Sequence, residues 1–261
     1  MKGRMRVIEA RDLAKAFRIP SVRRETLREH FVGLFRARSF ERLQVLESVS
    51  FAIERGETVG IMGRNGSGKS TLLKILCGVY VPDRGSVTLR GPVTPILELG
   101  VGWNPELDAI DNILLIGTVM GLTLREAKAA IDEVLEFAGL TRFANLALKY
   151  YSSGMAARLA HSVAFKAVRE VLILDEIFAV GDVGFQARCE ARYRELSAAG
   201  HTVLLVSHDT RDITAFCDRA LLLENGRIVM DAPAGEVAQA YLALLGRLEG
   251  GALGHSPAPA G

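Results

Sequence analysis

From Val45 onward the chain carries recurrent short apolar runs: Val49 to Ile53, Thr58 to Met62, Val87 to Leu89, Val171 to Leu174, Val203 to Val206 and Leu221 to Leu223. Several are continuous rather than alternating, as in strands covered on both faces, and amphipathic helical stretches separate some of them. The pattern predicts an α/β sheet. Asn225-Gly226, between Leu221 to Leu223 and Ile228 to Met230, predicts a two-residue hairpin, because a type I′ turn needs positive φ at both positions. Between Leu107 and Phe165 strand signals give way to helical spacing, as at Ala127, Ile131, Val134, Leu135 and Ala138, which predicts an all-helical insert at about 100–168.

Ahead of these runs, Met5 to Ile19 reads as a strand and turn. Ser21 to Gln44 then places Leu27, Phe31, Leu34 and Phe35 at i, i+4, i+7 and i+8 among Arg23, Arg24, Arg28, Arg36, Arg38 and Arg42. That basic amphipathic segment, about 21–44, reads either as a surface helix packed on its own domain or as a docking element for a membrane surface or partner. The folded domain is expected over 1–245, with a disordered Gly/Ala/Pro-rich tail over 250–261.

Composition changes this picture little. The 261 residues are 49% hydrophobic and 24% charged with a formal charge of +2, which excludes disordered and fibrous classes and does not call for a nucleic-acid partner. The charge is uneven: 12 basic against 5 acidic residues through Val45 leave the remainder at −5. Cys77, Cys189 and Cys217, odd in number and without metal-ligand spacing, fit a reducing compartment. No signal-like apolar stretch follows Met1, and the longest apolar stretch, near Ile113 to Leu122, is short of the ~20 residues of a spanning helix, so an intracellular soluble chain is expected.

The chemistry begins at Gly63-Arg64-Asn65-Gly66-Ser67-Gly68-Lys69-Ser70-Thr71, a phosphate-binding loop between the strand Thr58 to Met62 and a helical run. Its glycines let backbone N–H groups face phosphate oxygens and the helix N-terminus adds positive potential. Lys69 would neutralise β/γ charge and the Ser70 hydroxyl would ligate Mg²⁺. Val171 to Leu174 lead into Asp175-Glu176, where Asp175 would hold Mg²⁺ and Glu176 would orient or deprotonate the attacking water. His208, after the strand Thr202 to Ser207, projects at the carboxyl end of the sheet, where it could meet the γ-phosphate or that water.

With Tyr151-Ser152-Ser153-Gly154-Met155 added, residues 7–245 resemble the ATP-binding subunits of ABC transporters. That family implies a RecA-like P-loop NTPase sheet core with an antiparallel β subdomain and an inserted helical subdomain. The second Ser-Gly turn opens a helix and lacks a lysine, and the resemblance implies that Ser152, Ser153 and Gly154 cap the γ-phosphate of an ATP held by the other protomer. Tyr151, Ser153 and Met155 depart from the usual Leu-Ser-Gly-Gly-Gln, and Glu98 is the nearest polar match to the glutamine that opens the helical subdomain. Three stretches are similar to the exporters of bacterial surface polysaccharides: Tyr151 to Ala160, Asp175 to Asp182 running on through Phe185 and Cys189, and Leu97 to Pro105.

By that resemblance Asp182 lies in the loop linking two nucleotide sites, and Phe17 stacks on adenine unless it is a core phenylalanine. The basic segment faces the permease or inner membrane. The implied protein is a peripheral ATPase at the cytoplasmic face of the plasma membrane, a head-to-tail homodimer using ATP and Mg²⁺ to drive a separate permease that exports a lipid-linked polysaccharide. Some relatives carry a carboxy-terminal carbohydrate-binding domain, and none is expected in this chain. Alternatives are an ABC ATPase acting on ribosomes or nucleic acid, against which a single phosphate loop without sustained heptads argues, and a GTPase or kinase. No Asn/Thr-Lys-x-Asp guanine motif is present.

Overall fold

The computed structural model describes residues 5–20, 40–96, 102–175 and 181–252. Strands β1 (Arg6–Pro20) and β2 (Phe40–Glu54) pair antiparallel, followed by β3 (Thr58–Met62), α1 (Lys69–Leu76), β4 (Arg84–Leu89) and β5 (Val93–Ile96). Three helices come next, α2 (Ala109–Val119), α3 (Leu124–Ala138) and α4 (Ser153–Lys166). The chain then alternates β6 (Val171–Asp175), α5 (Val183–Ala198), β7 (Thr202–Val206) and α6 (Thr210–Phe216), and closes with β8 (Arg219–Glu224), β9 (Arg227–Pro233) and α7 (Ala234–Ala252).

One sheet has the order β5-β6-β7-β3-β8-β9, parallel except for β9; the other is the antiparallel β2-β1-β4. Successive residues of the central strands point to opposite cores. Met62, Leu172, Leu174, Val203, Leu205 and Leu222 pack with Phe185, Tyr193 and Val237 of the helices. Ile61, Val171, Ile173, Leu204, Val206 and Leu221 pack with α1 and with Ile8, Leu13, Leu46 and Val49 of the antiparallel sheet. Covering on both faces is why these strands read as unbroken apolar runs. Helices α2 to α4 form a third core around Ile113, Val134, Leu135, Leu159 and Val163, which is the expected helical insert.

The expected hairpin is present, with Asn225 at φ 47° and Gly226 at φ 76°. Two expectations need correction, and one strand was not anticipated. Residues 40–44, assigned to the basic amphipathic segment, are strand, pairing through Phe17↔Leu43 and Pro20↔Phe40. Pairing of β1 with β4 ends at Ala14↔Arg84, so among the described residues this end of the ribbon has no third strand beside it. Residues 40–44 are all exposed and carry no burial alternation to read. The rest of that segment, 21–39, lies outside the described residues. Residues 250–252, assigned to the tail, belong to α7; the rest of the expected tail, 253–261, lies outside the described residues. Finally β5 went unread: it is four residues long, carries Pro95 and lies at the sheet edge, where proline is tolerated.

The three cysteines are free thiols; burial raises all of them, Cys77 to about 11 and Cys189 to about 12. No helix among the described residues is long and apolar enough to cross a membrane.

Candidate functional site

Parallel pairing aligns the carboxyl ends of three neighbouring strands. Asp175 on β6 is level with Val206 on β7, and Val206 with Ile61 on β3. The phosphate loop leaves β3 at Gly63, directly after Met62, and His208 follows β7 by two residues. Lys69, Asp175 and His208 therefore converge on one edge of the sheet, the edge where ligands of open α/β sheets bind.

The loop is held from behind. Glycine is required at Gly63, where a Cβ would lie 2.3 Å from the Leu223 carbonyl oxygen, and at Gly68, with φ 108°, where it would meet Val45 O at 2.9 Å. The Gly226 N–H donates to Ser67 O (3.0 Å), and the Glu47 N–H donates to Gly226 O (2.8 Å). The β8–β9 hairpin tip and β2 thus clamp the loop. In front, Gly66 (φ 81°) has open space where a side chain would be, and Arg64, Asn65 and Ser70 are exposed.

The donor set fits a polyphosphate. Lys69 is buried and its Nζ donates to Gly63 O (2.6 Å) and Arg64 O (3.1 Å), so it is curled over its own loop. Helix α1 opens with no side-chain cap and no acidic residue in its first turn, leaving its N–H groups for an anion. The Ser67 hydroxyl is buried without a hydrogen-bond partner among the described residues, an unspent polar atom within the loop. Thr71 is half-buried in the first turn of α1, and Asp175 is half-buried at its strand end. Ser70 and Asp175, a hydroxyl and a carboxylate, are hard oxygen donors suited to Mg²⁺. Glu176 and Glu98 lie outside the described residues.

A cleft of about 380 Å³ is lined by Arg64, Asn65, His208, Tyr241 and Leu245. It joins the loop and the histidine to α7, a contribution with no signal in the sequence.

The second Ser-Gly turn is in another layer. Ser152 caps α4, its Oγ accepting from the Met155 N–H (3.2 Å), while Ser153 and Gly154 are exposed. A Cβ on Gly154 would meet nothing nearer than Ser152 Oγ at 4.0 Å. This helix start faces outward, while the buried part of α4, with Leu159 and Val163, packs on the helical core. Asp182 caps α5, accepting from the Phe185 N–H (2.8 Å), and pairs with Arg158 of α4 at 3.0 Å. The Phe185 N–H first, then Arg158 and Arg188, hold its carboxyl below the usual aspartate range. Phe17 is half-buried on the antiparallel sheet, its ring edge-on to Tyr80 (5.5 Å between centroids), with Lys15 Nζ 5.7 Å from its centre.

Sequence reading missed Asn112, which is fully buried. Its side chain accepts from the Asn104 N–H and donates to the carbonyls of Asn104, Leu107 and Asp108, pinning the loop that enters the helical layer. Its position inside an apolar helix was the available signal.

A two-layer β core with a phosphate loop, an inserted helical layer and an outward-facing Ser-Gly helix start define an ATP-hydrolysing cassette. The family model described as ABC transporter matches residues 46–179, and the chain belongs to that family. It is 43% identical over 202 residues to the ABC transporter protein AbcA of Aeromonas salmonicida, covering 77% of this chain and 66% of that one. It is 41% identical over 196 residues to an O-antigen export system ATP-binding protein RfbB of Klebsiella pneumoniae, covering 75% and 80%. With the teichoic acids export ATP-binding protein TagH of Bacillus cereus the identity is 37% over 200 residues, 77% of this chain and 36% of that one. A solved structure of an ATP binding subunit of an ABC transporter matches at TM-score 0.72 and 25% identity, covering 90% and 93%.

Proposed function

We propose that this chain is the motor of a polysaccharide exporter, working at the cytoplasmic face of the inner membrane as a head-to-tail homodimer coupled to a separate permease. The exported material would be a lipid-linked glycan, as the names of the O-antigen and teichoic acid relatives suggest. The observation that carries the reading is the pair of unlike anion cradles: Lys69 with its loop at the sheet edge, and the lysine-free turn at Ser152, Ser153 and Gly154 facing outward from the helical layer. Two copies facing each other would bring each turn to the other's loop.

In this reading Gly63 to Thr71 bind the triphosphate, Phe17 stacks on the base, and Ser70 and Asp175 hold Mg²⁺, which neutralises charge on the transferring phosphoryl group. Glu176 accepts the proton of the attacking water, His208 contacts the γ-phosphate, and Asp182 belongs to the loop joining the two sites. Phosphoryl transfer needs positioning and charge neutralisation more than covalent chemistry, so a site lacking its opposite half hydrolyses slowly. The basic stretch ahead of residue 40 would serve as the docking element for the permease or membrane.

The variant Glu176→Gln tests this. It should stop turnover, trap an ATP-bound dimer visible by size-exclusion chromatography, and make cells accumulate unexported lipid-linked glycan. Wild-type turnover by this variant removes the base assignment; normal surface glycan in cells carrying it removes the export reading.

A further inference from the structure

We infer that Ser207 and Asp212 are positioning residues that fix His208 against the phosphate loop; this rests on the reading that His208 contacts the γ-phosphate. Ser207 is the residue that joins β7 to the turn, directly after Val206, and it is 3% exposed. Its hydroxyl works in both directions. It accepts from the Asp209 N–H at 3.0 Å and donates to Asp212 Oδ2 at 2.9 Å.

The first of these bonds closes a ring around His208. Because the side chain of one residue holds the N–H two positions on, the backbone of the residue between them loses its freedom. The second bond ties that ring to α6, so the turn cannot rotate without breaking this part-buried hydrogen bond. Asp209 completes the frame from the other side: its carboxylate caps α6 through the Arg211 N–H (2.8 Å) and grips the Arg211 guanidinium at 2.6 Å. The result is a side chain exposed into the cleft with Arg64 and Asn65, carried on a turn whose backbone is bonded at both ends.

Asp212 has a cost to meet. Burial pushes its carboxyl up, with Asp209 and Glu190 adding to the push, and the Ser207 hydroxyl is the largest influence in the other direction. A half-buried carboxylate is retained here next to a serine that it orients. Neither Ser207 nor Asp212 lines the cleft that His208 shares with Arg64 and Asn65; both would act through the histidine, as a preorganised support that avoids rearrangement during turnover.

Steady-state ATPase kinetics, Mg-ATP affinity and melting temperature of the full chain test the assignment. Ser207→Ala and Asp212→Leu should each lower kcat about tenfold, on the scale of a sub-ångström to ~1 Å misplacement, with ATP affinity within about twofold of wild type. Ser207→Thr, which keeps the hydroxyl, and Asp212→Asn, which keeps an acceptor oxygen, should recover most of the loss. His208→Ala should be at least as slow as Ser207→Ala, and the double variant no slower than His208→Ala alone.

Wild-type kcat in Ser207→Ala, or a double variant slower than His208→Ala by the full single-variant factor, overturns the positioning role while leaving His208 in place. Wild-type kcat in His208→Ala overturns the reading beneath it. Should Ser207→Ala melt too early to assay, the contrast between Asp212→Asn and Asp212→Leu decides: equal rates overturn the proposal.

Discussion

Gly226 shows how much one residue can carry. The Asn-Gly pair was legible as a turn, since both positions need positive φ. Its second task was not: a Cβ there would lie 2.4 Å from Val45 O, and its N–H supports Ser67 O in the phosphate loop. Gly226→Ala should therefore destabilise the fold by about 2 kcal/mol or more, from strain at φ 76° together with the backbone clash. Urea unfolding measures the loss, and Mg-ATP titration should show weaker binding. Asn225→Gly, at φ 47°, should leave both nearly unchanged. If Gly226→Ala binds and unfolds like wild type, the hairpin is not a support of the loop.

Between elements, the contact to examine is the ion pair joining α4 to α5. Asp182→Asn keeps the side-chain oxygen that caps α5 but removes the charge facing Arg158. Because the folded carboxyl is held below its ordinary value near 3.9, its contribution is complete above that value and fades as pH falls through the folded one. Melting curves should show a constant gap between wild type and Asp182→Asn from neutral pH down to about 5, closing below about 4. A gap that persists at low pH shows that the carboxylate charge is not its source.

At this scale the sequence was partly readable. Strands buried on both faces announced themselves, as did α3 with its 3.6-residue period; its Thr123–Glu126 capping box emerged only from the structure. The Ser-Gly turn was legible as a helix start, and α4 begins there, at Ser153 behind the Ser152 cap. The exposed ribbon at 40–44 and the short edge strand β5 lacked alternation or length, so nothing local distinguished them from loop.

For the whole molecule, the proposed head-to-tail pairing predicts complementation between two inactive chains. Lys69→Ala has a broken loop and an intact Ser-Gly turn; Gly154→Glu has the reverse. Each alone should be inactive, whereas co-purified mixed dimers should regain up to half of wild-type ATPase activity, because one of their two sites receives an intact half from each chain. A dimer pairing wild type with a chain carrying both substitutions should stay inactive. Activity in that dimer, or none in the first, counts against head-to-tail assembly.

What the sequence determined by itself was chemistry that depends on neighbours along the chain: the loop Gly63 to Ser70, the Asp175 strand end, the hairpin turn and the Ser-Gly helix start. Backbone geometry over a few residues dictates these, so residue type and spacing reveal them. Tertiary structure decided what depends on residues far apart in sequence meeting: the clamp of Val45 and Gly226 on the loop, Tyr241 of α7 in the His208 cleft, and the parallel register that levels Asp175 with Val206 and Ile61. Such contacts leave little local trace because they are chosen by strand order and packing, which many different sequences can satisfy.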